Sequence, residues 1–543
     1  MIQKQPHKPQ IPLPEEAKKT TPQNLHGRAI MIKTIQVGGS TVLSRMMGLI
    51  RDILLVRYMG TGMIQDAFRI AFKLPNMLRQ IFAEGALSPV VVPTIVKLVK
   101  EGDRTAVNRF MTLSFVLFEG AVLAIAALMI WQAPAVITLT APGFGEYQTL
   151  LAARMLRLLA TYIFFISSNS LLAGALQAAN HFWIPALAPV INNVCFIGGL
   201  LICLVVGLPV EYFCLFVLLS GVVQFAMHLG MYFRLGYAFE AIEAQTLSPF
   251  KSLMHKFIPA MLSGGMMQWS QVVDNFFASY LPAGSISLLD LSNGFLRIPL
   301  GVVVALSTIL LPHFSRVVTY APKRLSYYLL EGAKLVFWVT LPATLVMSFL
   351  SQKIFFTLFY SSSFTLAHVA QAQLILCACL LSLFFHSINK ILLSMFYALH
   401  QVWLPAAVTM SAMLMNIVLC QWWVSSFQVT GLAIATSVSA AFQTTFFVLL
   451  LYFKFNFKLY PRPFATFFTR YALQLILVLG GAYLAYQGML IGISLLPTSL
   501  AHLLTATVFF WVWTLPLICV SGYVLYATRE LFGVHLHFLR ART

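Results

Sequence analysis

Long apolar runs separated by short polar stretches fill almost the whole chain. They lie at about 30–57, 63–84, 107–131, 149–177, 184–206, 211–235, 252–281, 286–312, 327–350, 367–399, 403–424, 430–453, 465–487 and 501–527. Each reaches the roughly 20 residues that a helix needs to cross the hydrocarbon core. Several exceed it, so they tilt or project beyond the bilayer. The pattern predicts an all-α polytopic membrane protein with about fourteen transmembrane helices. Residues 1–28 are Pro-, Lys- and Gln-rich with no apolar core. They are expected to form a disordered tail rather than a cleaved signal peptide.

Loop charge orients these spans. Lys97, Lys100 and Arg104 follow span 2, Arg234 and Lys251 span 6, Arg316, Lys323 and Arg324 span 8, and Lys454, Lys458 and Arg462 span 12. The opposite loops near 207–211, 282–286, 425–429 and 488–500 hold no Lys or Arg. Even-numbered connections, and with them both termini, are therefore expected on the cytoplasmic side.

The spans also repeat. A-A-N-H-F-W-I-P-A (178–186) returns as A-L-H-Q-V-W-L-P-A (398–406), pairing Trp183 with Trp403 and Pro185 with Pro405. D-I-L-L-V-R-Y-M-G-T-G (52–62) returns as D-N-F-F-A-S-Y-L-P-A-G (274–284), and Phe72-Lys73-Leu74-Pro75 as Leu296-Arg297-Ile298-Pro299. The near-constant offset covers six spans, so both copies lie in the membrane in the same sense. Two pseudo-symmetric six-helix lobes follow, at 29–237 and 250–455. Two extra C-terminal helices at 463–530 and a tail at 531–543 complete the chain. Parallel repeats of this kind build transporters whose substrate site lies between the lobes.

Composition sharpens the picture. Only 9% of residues are charged, against roughly 25% in soluble proteins. The net charge of +19 is spread over loops, which points to the positive-inside rule and anionic membrane lipids rather than to nucleic acid. The seven cysteines fall in or beside apolar runs without a C-x-x-C pair and read as buried thiols. No metalloprotease, nucleotide-binding P-loop or serine-hydrolase motif is present in the sequence.

Against that apolar background, Ser44–Glu84 stands out. It holds six cations (Arg45, Arg51, Arg57, Arg69, Lys73, Arg79) and three anions (Asp52, Asp66, Glu84). A charge at the bilayer centre costs about 2.5–3.5 kcal/mol on insertion scales. On a helix through span 2, Asp66, Arg69, Lys73, Asn76 and Gln80 share about 80° of arc, with Arg79 at the edge. Such a stripe faces a cavity or a partner helix. Internal pairing, such as Arg51 or Arg45 with Asp66 and Arg79 with Glu84, accounts for some of these charges. The cationic surplus calls for an anionic ligand, and arginine's planar fork suits phosphate or carboxylate. The second lobe offers Asp274, Asp290 and Arg297, and Arg297 is expected to face the same cavity. Lone histidines such as His181, His368, His386 and His400 receive no role.

At these residues the chain resembles the MurJ (MviN-type) lipid II flippases. The resemblance rests on S-R-x-x-G-x-x-R-D (44–52), D-A-F (66–68), F-K-L-P-N-x-x-R (72–79), I-F-A-E-G-A-L-S (81–88), A-G-S-I-S (283–287) and T-I-L-L-P (308–312). It implies a fold of the multidrug/oligosaccharidyl-lipid/polysaccharide exporter type in the bacterial inner membrane. It also implies export, by alternating access, of the undecaprenyl-pyrophosphate-linked peptidoglycan precursor lipid II, for cell-wall synthesis. The headgroup would sit in a cationic cavity and the polyprenyl tail along spans 13 and 14. The family's charged positions fall on Arg45, Arg51, Asp66 and Arg79. With them, Ser44, Lys73, Asn76 and Arg297 form the expected substrate site, and Asp52, Glu84 and Asp274 the expected gating or ion-pairing set. Gly294 stands where the family carries an arginine in span 8, and Arg297 is expected to replace it. No cofactor or metal is implied; coupling to the membrane potential or to a monovalent ion stays open, as does contact with cell-wall synthesis enzymes. An exporter of another polyprenyl-linked glycan or of a drug is the alternative, and a membrane enzyme acting on lipid pyrophosphates a remote one.

Overall fold

The computed structural model describes residues 43–79, 104–179, 183–243, 270–320, 324–399, 403–458 and 460–536, with a few single positions between them. The expected N-terminal tail, the C-terminal tail beyond residue 536, the start of span 1, most of span 7, the Arg79 side chain and Glu84 lie outside the described residues.

The described chain is helical. In order it forms α1 (43–59), α2 (Met63–Arg79), α3 (Arg104–Trp131), a short α4 (Ala133–Thr140), α5 (Glu146–Ala178), α6 (Trp183–Val206) and α7 (Val210–Arg234). Then come α8 (270–278), α9 (Ser285–Tyr320), α10 (Leu325–Phe359), α11 (Leu366–Ala398), α12 (Trp403–Phe455), α13 (Pro461–Ser494), α14 (Thr498–Ala506) and α15 (Phe510–Thr528). Ten of these are long and apolar enough to cross a membrane. α12 runs for 53 residues, about 80 Å of helix, enough for two crossings. It breaks at Gln428, whose φ is 49°, inside the polar stretch where the sequence predicts a loop. Counted that way, and with α1, α2 and α8, the helices are compatible with fourteen spans. The expected last span is divided: α14 precedes α15, and Thr507 between them is extended.

The duplication is visible in the helix boundaries. α5 and α11 are both 33 residues long and start 220 residues apart, at Glu146 and Leu366. α6 and α12 start the same distance apart, at Trp183 and Trp403. α5 packs against α2, α3 and α7; α11 packs against α9, α10 and α12.

Packing differs between the two ends of the bundle. One continuous core joins both repeats near the 60–62 and 279–284 loops, with Val56, Phe68, Ile137 and Phe213 alongside Ile286, Leu289, Phe359 and Phe364. At the other end, among the described residues, each repeat has its own core. Phe110, Leu171 and Tyr232 belong to the first, and Phe314, Ile391 and Phe447 to the second. Two bodies whose described residues share a core at one end and not at the other enclose a cleft. α13 and α15 pack on α10 through Tyr471, Leu475 and Leu525, and Tyr471 Oη donates to Trp338 O at 2.9 Å.

The seven cysteines are all free. Cys203, Cys214, Cys379 and Cys420 are buried as expected, but Cys519 on α15 is exposed, because α15 covers the bundle with one face only.

Candidate functional site

The cleft holds a cavity of about 480 Å3. α1 supplies Ser44, Arg51 and Asp52, α2 supplies Arg69, Lys73 and Asn76, and α9 supplies Asp290 and Arg297. The 100° advance of a helix puts Arg69, Lys73 and Asn76 on one face, and Asp290 and Arg297, two turns apart, on another. Pro75 lies in the last half of α2, where a proline weakens the ladder and bends a helix.

Asp290 is the hub. It accepts from Arg69 of the other repeat, from Arg297 Nη2 at 3.2 Å, and has Lys73 Nζ at 3.8 Å. Arg51 bonds Asp52 at 3.0 Å, with Arg69 3.9 Å from the same carboxylate, and its guanidinium lies 5.7 Å from the Phe196 ring centre. Thus four cations line the cavity (Arg51, Arg69, Lys73, Arg297) with two carboxylates (Asp52, Asp290), a surplus of two positive charges. The side chain of Arg297 is 54% exposed, so it can reach a ligand without leaving Asp290. A Cβ on Gly294 would meet no atom within 4 Å, so the space of the family's arginine is open here.

Asp66 is elsewhere. It is 2% exposed and accepts from Gly284 N at 2.7 Å, Ser287 N at 2.9 Å and Ser287 Oγ at 2.5 Å. It therefore caps the first turn of α9 from another helix, where unpaired amides and the helix dipole favour a carboxylate. The considered pairing of Arg51 or Arg45 with Asp66 is not formed, because the α9 amides occupy both oxygens and Arg51 has its neighbour Asp52. The same end carries two further cross-repeat bonds: Thr61 Oγ1 donates to Ser363 O at 2.7 Å, and Gly143 N to Ser279 Oγ at 3.0 Å.

Arg45 is exposed and bonds across the repeats to α9 backbone, Arg297 O at 3.3 Å and Ile298 O at 3.1 Å. Asp274, expected to pair with a cation, instead takes the neutral donors Asn416 Nδ2 and Thr436 Oγ1, each at 3.3 Å. It is buried inside the second repeat, where α12 supplies only amide and hydroxyl groups. Ser44, Arg51, Asp52, Lys73, Asn76 and Arg297 are thus brought together; Arg45, Asp66 and Asp274 are not.

Sequence reasoning passed over the hub. Asp290 was visible as a charge in span 8, but its partner Arg69 is 221 residues away. The neutral amides of the lining, among them Asn169, Asn192 and Gln224, were passed over too. The doublet Asn192-Asn193 in an otherwise apolar span was the available signal.

The chain matches the family described as lipid II flippase MurJ over residues 55–510. It is 28% identical over 413 residues to a probable lipid II flippase MurJ of Buchnera aphidicola subsp. Acyrthosiphon pisum (strain APS), covering 75% of this chain and 80% of that one. It is 28% identical over 395 residues to a lipid II flippase MurJ of Burkholderia cenocepacia, covering 70% and 76%. In fold it is similar to a lipid II flippase MurJ in an inward closed conformation, with a TM-score of 0.74, 23% identity and coverage of 92% of this chain and 98% of that one. It is also similar to an inward-facing multidrug resistance MATE family transporter of the MOP superfamily, with a TM-score of 0.67, 16% identity and coverage of 75% and 93%.

Proposed function

Since the chain belongs to the lipid II flippase MurJ family, we propose that its central cavity takes the diphosphate headgroup of lipid II and carries it across the membrane by alternating access. The protein is a multi-pass membrane transporter of lipid II, the lipid-linked precursor of peptidoglycan.

The observation that carries the cavity assignment is the charge surplus. Four cations and two carboxylates leave two positive charges in a cleft between the repeats, and a lipid diphosphate brings about two negative ones. Arg51 and Arg297 offer guanidinium forks, and bonds to charged groups of this kind contribute about 1.5–3 kcal/mol each. A cationic lining disfavours the alternative of a cationic drug. The basic loops favour the cytoplasmic side for the cleft's separated end, and lipid II would enter there from the inner leaflet of the inner membrane. The polyprenyl tail stays in lipid, beside the exposed apolar faces of α13 and α15 at Ile476, Leu484 and Val512.

Depleting the protein and following labelled lipid II tests the function directly. Outer-face lipid II should fall, and unchanged export would sink the proposal. Arg51→Ala should lower lipid II affinity about tenfold or more and fail to restore growth. If Arg297→Ala supports full transport where Arg51→Ala does not, the replacement of the family's span-8 arginine by Arg297 is wrong.

A further inference from the structure

The cavity has a second chemistry that charge alone does not explain. Asn192 on α6, which lines the same cavity, is held in one orientation by its neighbours. Tyr162 Oη of α5 donates to Asn192 Oδ1 at 2.8 Å. Gln224 Nε2 of α7 lies 3.4 Å from the same oxygen and 3.0 Å from Ser220 O. A backbone carbonyl only accepts, so that second contact fixes the Gln224 amide nitrogen as a donor. Ser220 Oγ shares its single proton between Val217 O at 2.6 Å and Asn192 Oδ1 at 3.0 Å. Donors from two helices thus converge on one oxygen, and the Asn192 Nδ2 group is turned away from them. That nitrogen has no protein partner among the described residues, and Asn192 lines the cavity.

The contrast with the next residue is informative. Asn193 Nδ2 is fully used, bonding Ser44 O at 3.0 Å, Ser44 Oγ at 3.1 Å and Pro189 O at 3.0 Å. It ties α6 to α1. Asn192 ties nothing with its nitrogen. Orienting a side-chain amide with its acceptor satisfied and its two N–H groups open costs rotamer freedom, and such preorganisation serves recognition of an acceptor on a ligand.

We propose that Asn192 is a specificity-determining residue that donates from Nδ2 to an oxygen of the uncharged part of the headgroup, a sugar N-acetyl or peptide carbonyl, with Tyr162 and Gln224 as positioning residues. The assignment rests on the lipid II reading above and adds a division of labour. The arginine face holds the diphosphate, which any polyprenyl diphosphate carries. The amide face reads what is attached to it.

The test compares two probes on the full-length protein in detergent: lipid II, and the methyl ester of undecaprenyl diphosphate, which has the same diphosphate charge and no sugar or peptide. The unsubstituted protein should bind lipid II more tightly. Asn192→Ala should weaken lipid II binding about fivefold, the equivalent of about 1 kcal/mol, and leave binding of the methyl ester unchanged. Tyr162→Phe, which removes one orienting donor with little change of shape, should shift the same ratio in the same direction by less. Arg51→Ala should weaken both probes. If Asn192→Ala weakens both probes alike, or neither, or if the two probes bind the unsubstituted protein equally, the proposal fails. Failure of the unsubstituted protein to bind either probe would instead overturn the lipid II reading itself.

Discussion

Asp290 shows why a single residue of this site was hard to value from sequence. Alone on span 8 it is one more intramembrane charge. In the fold it answers Arg69, Lys73 and Arg297 together, so it acts as the counter-ion of three cations in the cavity proposed to take the diphosphate. Removing it leaves three cations close together in a region of low dielectric. Asp290 is only partly buried, so Asp290→Asn should lower stability by about 1–2 kcal/mol, between the values for exposed and for buried pairs. Lipid II should then raise the melting temperature of the variant more than that of the unsubstituted protein, because the diphosphate takes over the missing charge. Equal ligand-induced shifts in a thermal-unfolding assay would contradict this. The cations themselves were legible, because charges are rare in the sequence and the 3.6-residue period groups them. Which of them share one carboxylate was not, since that depends on contacts between residues more than 200 positions apart.

At the scale of elements, the duplication was the most legible feature. Trp183 and Trp403 open matching helices, and α5 and α11 match in length. Asp66 was the least legible. Its place on the polar stripe of α2 suggested a partner among the arginines, yet it serves the start of α9. A carboxylate inside a membrane protein can be satisfied by unpaired helix amides as well as by cations, and periodicity on one helix cannot tell which partner another helix presents. Asp66→Asn keeps the shape but sets an NH2 group against one of the amides it now bonds. Two backbone donors and one hydroxyl converge there, so losing one bond should cost about 1–1.5 kcal/mol. Hydrogen exchange over residues 281–290 should quicken about tenfold, while peptides in α13 keep their rates. Unchanged exchange in the first turn of α9 would show that the cap carries no stability.

For the whole molecule, the decisive fact is the asymmetry between its ends. Among the described residues, the repeats share a core near the 60–62 and 279–284 loops and divide into two at the other end. Asp66, Thr61 and Gly143 all bridge the repeats at the joined end. Alternating access requires that this end part while the other closes, and the stability of the junction sets the balance between the two states. Gly143 is the most exacting part of the junction. A Cβ there would lie 2.4 Å from Ser279 O, a backbone atom of the other repeat, and backbone cannot swing aside as a side-chain tip can. Gly143→Val should therefore prop this end open rather than unfold the protein, since each repeat keeps its own packing. In a background with Thr61→Cys, whose position sits in the junction, a membrane-impermeant maleimide added from outside should label the Gly143→Val protein several-fold faster. Lipid II export should fall, because the inward state that loads the cavity becomes rare. A shift of 1.4 kcal/mol changes such a population tenfold, well within what a backbone clash supplies. Unaltered labelling with intact folding would mean that this junction does not move during transport, and the route across the membrane would have to open elsewhere.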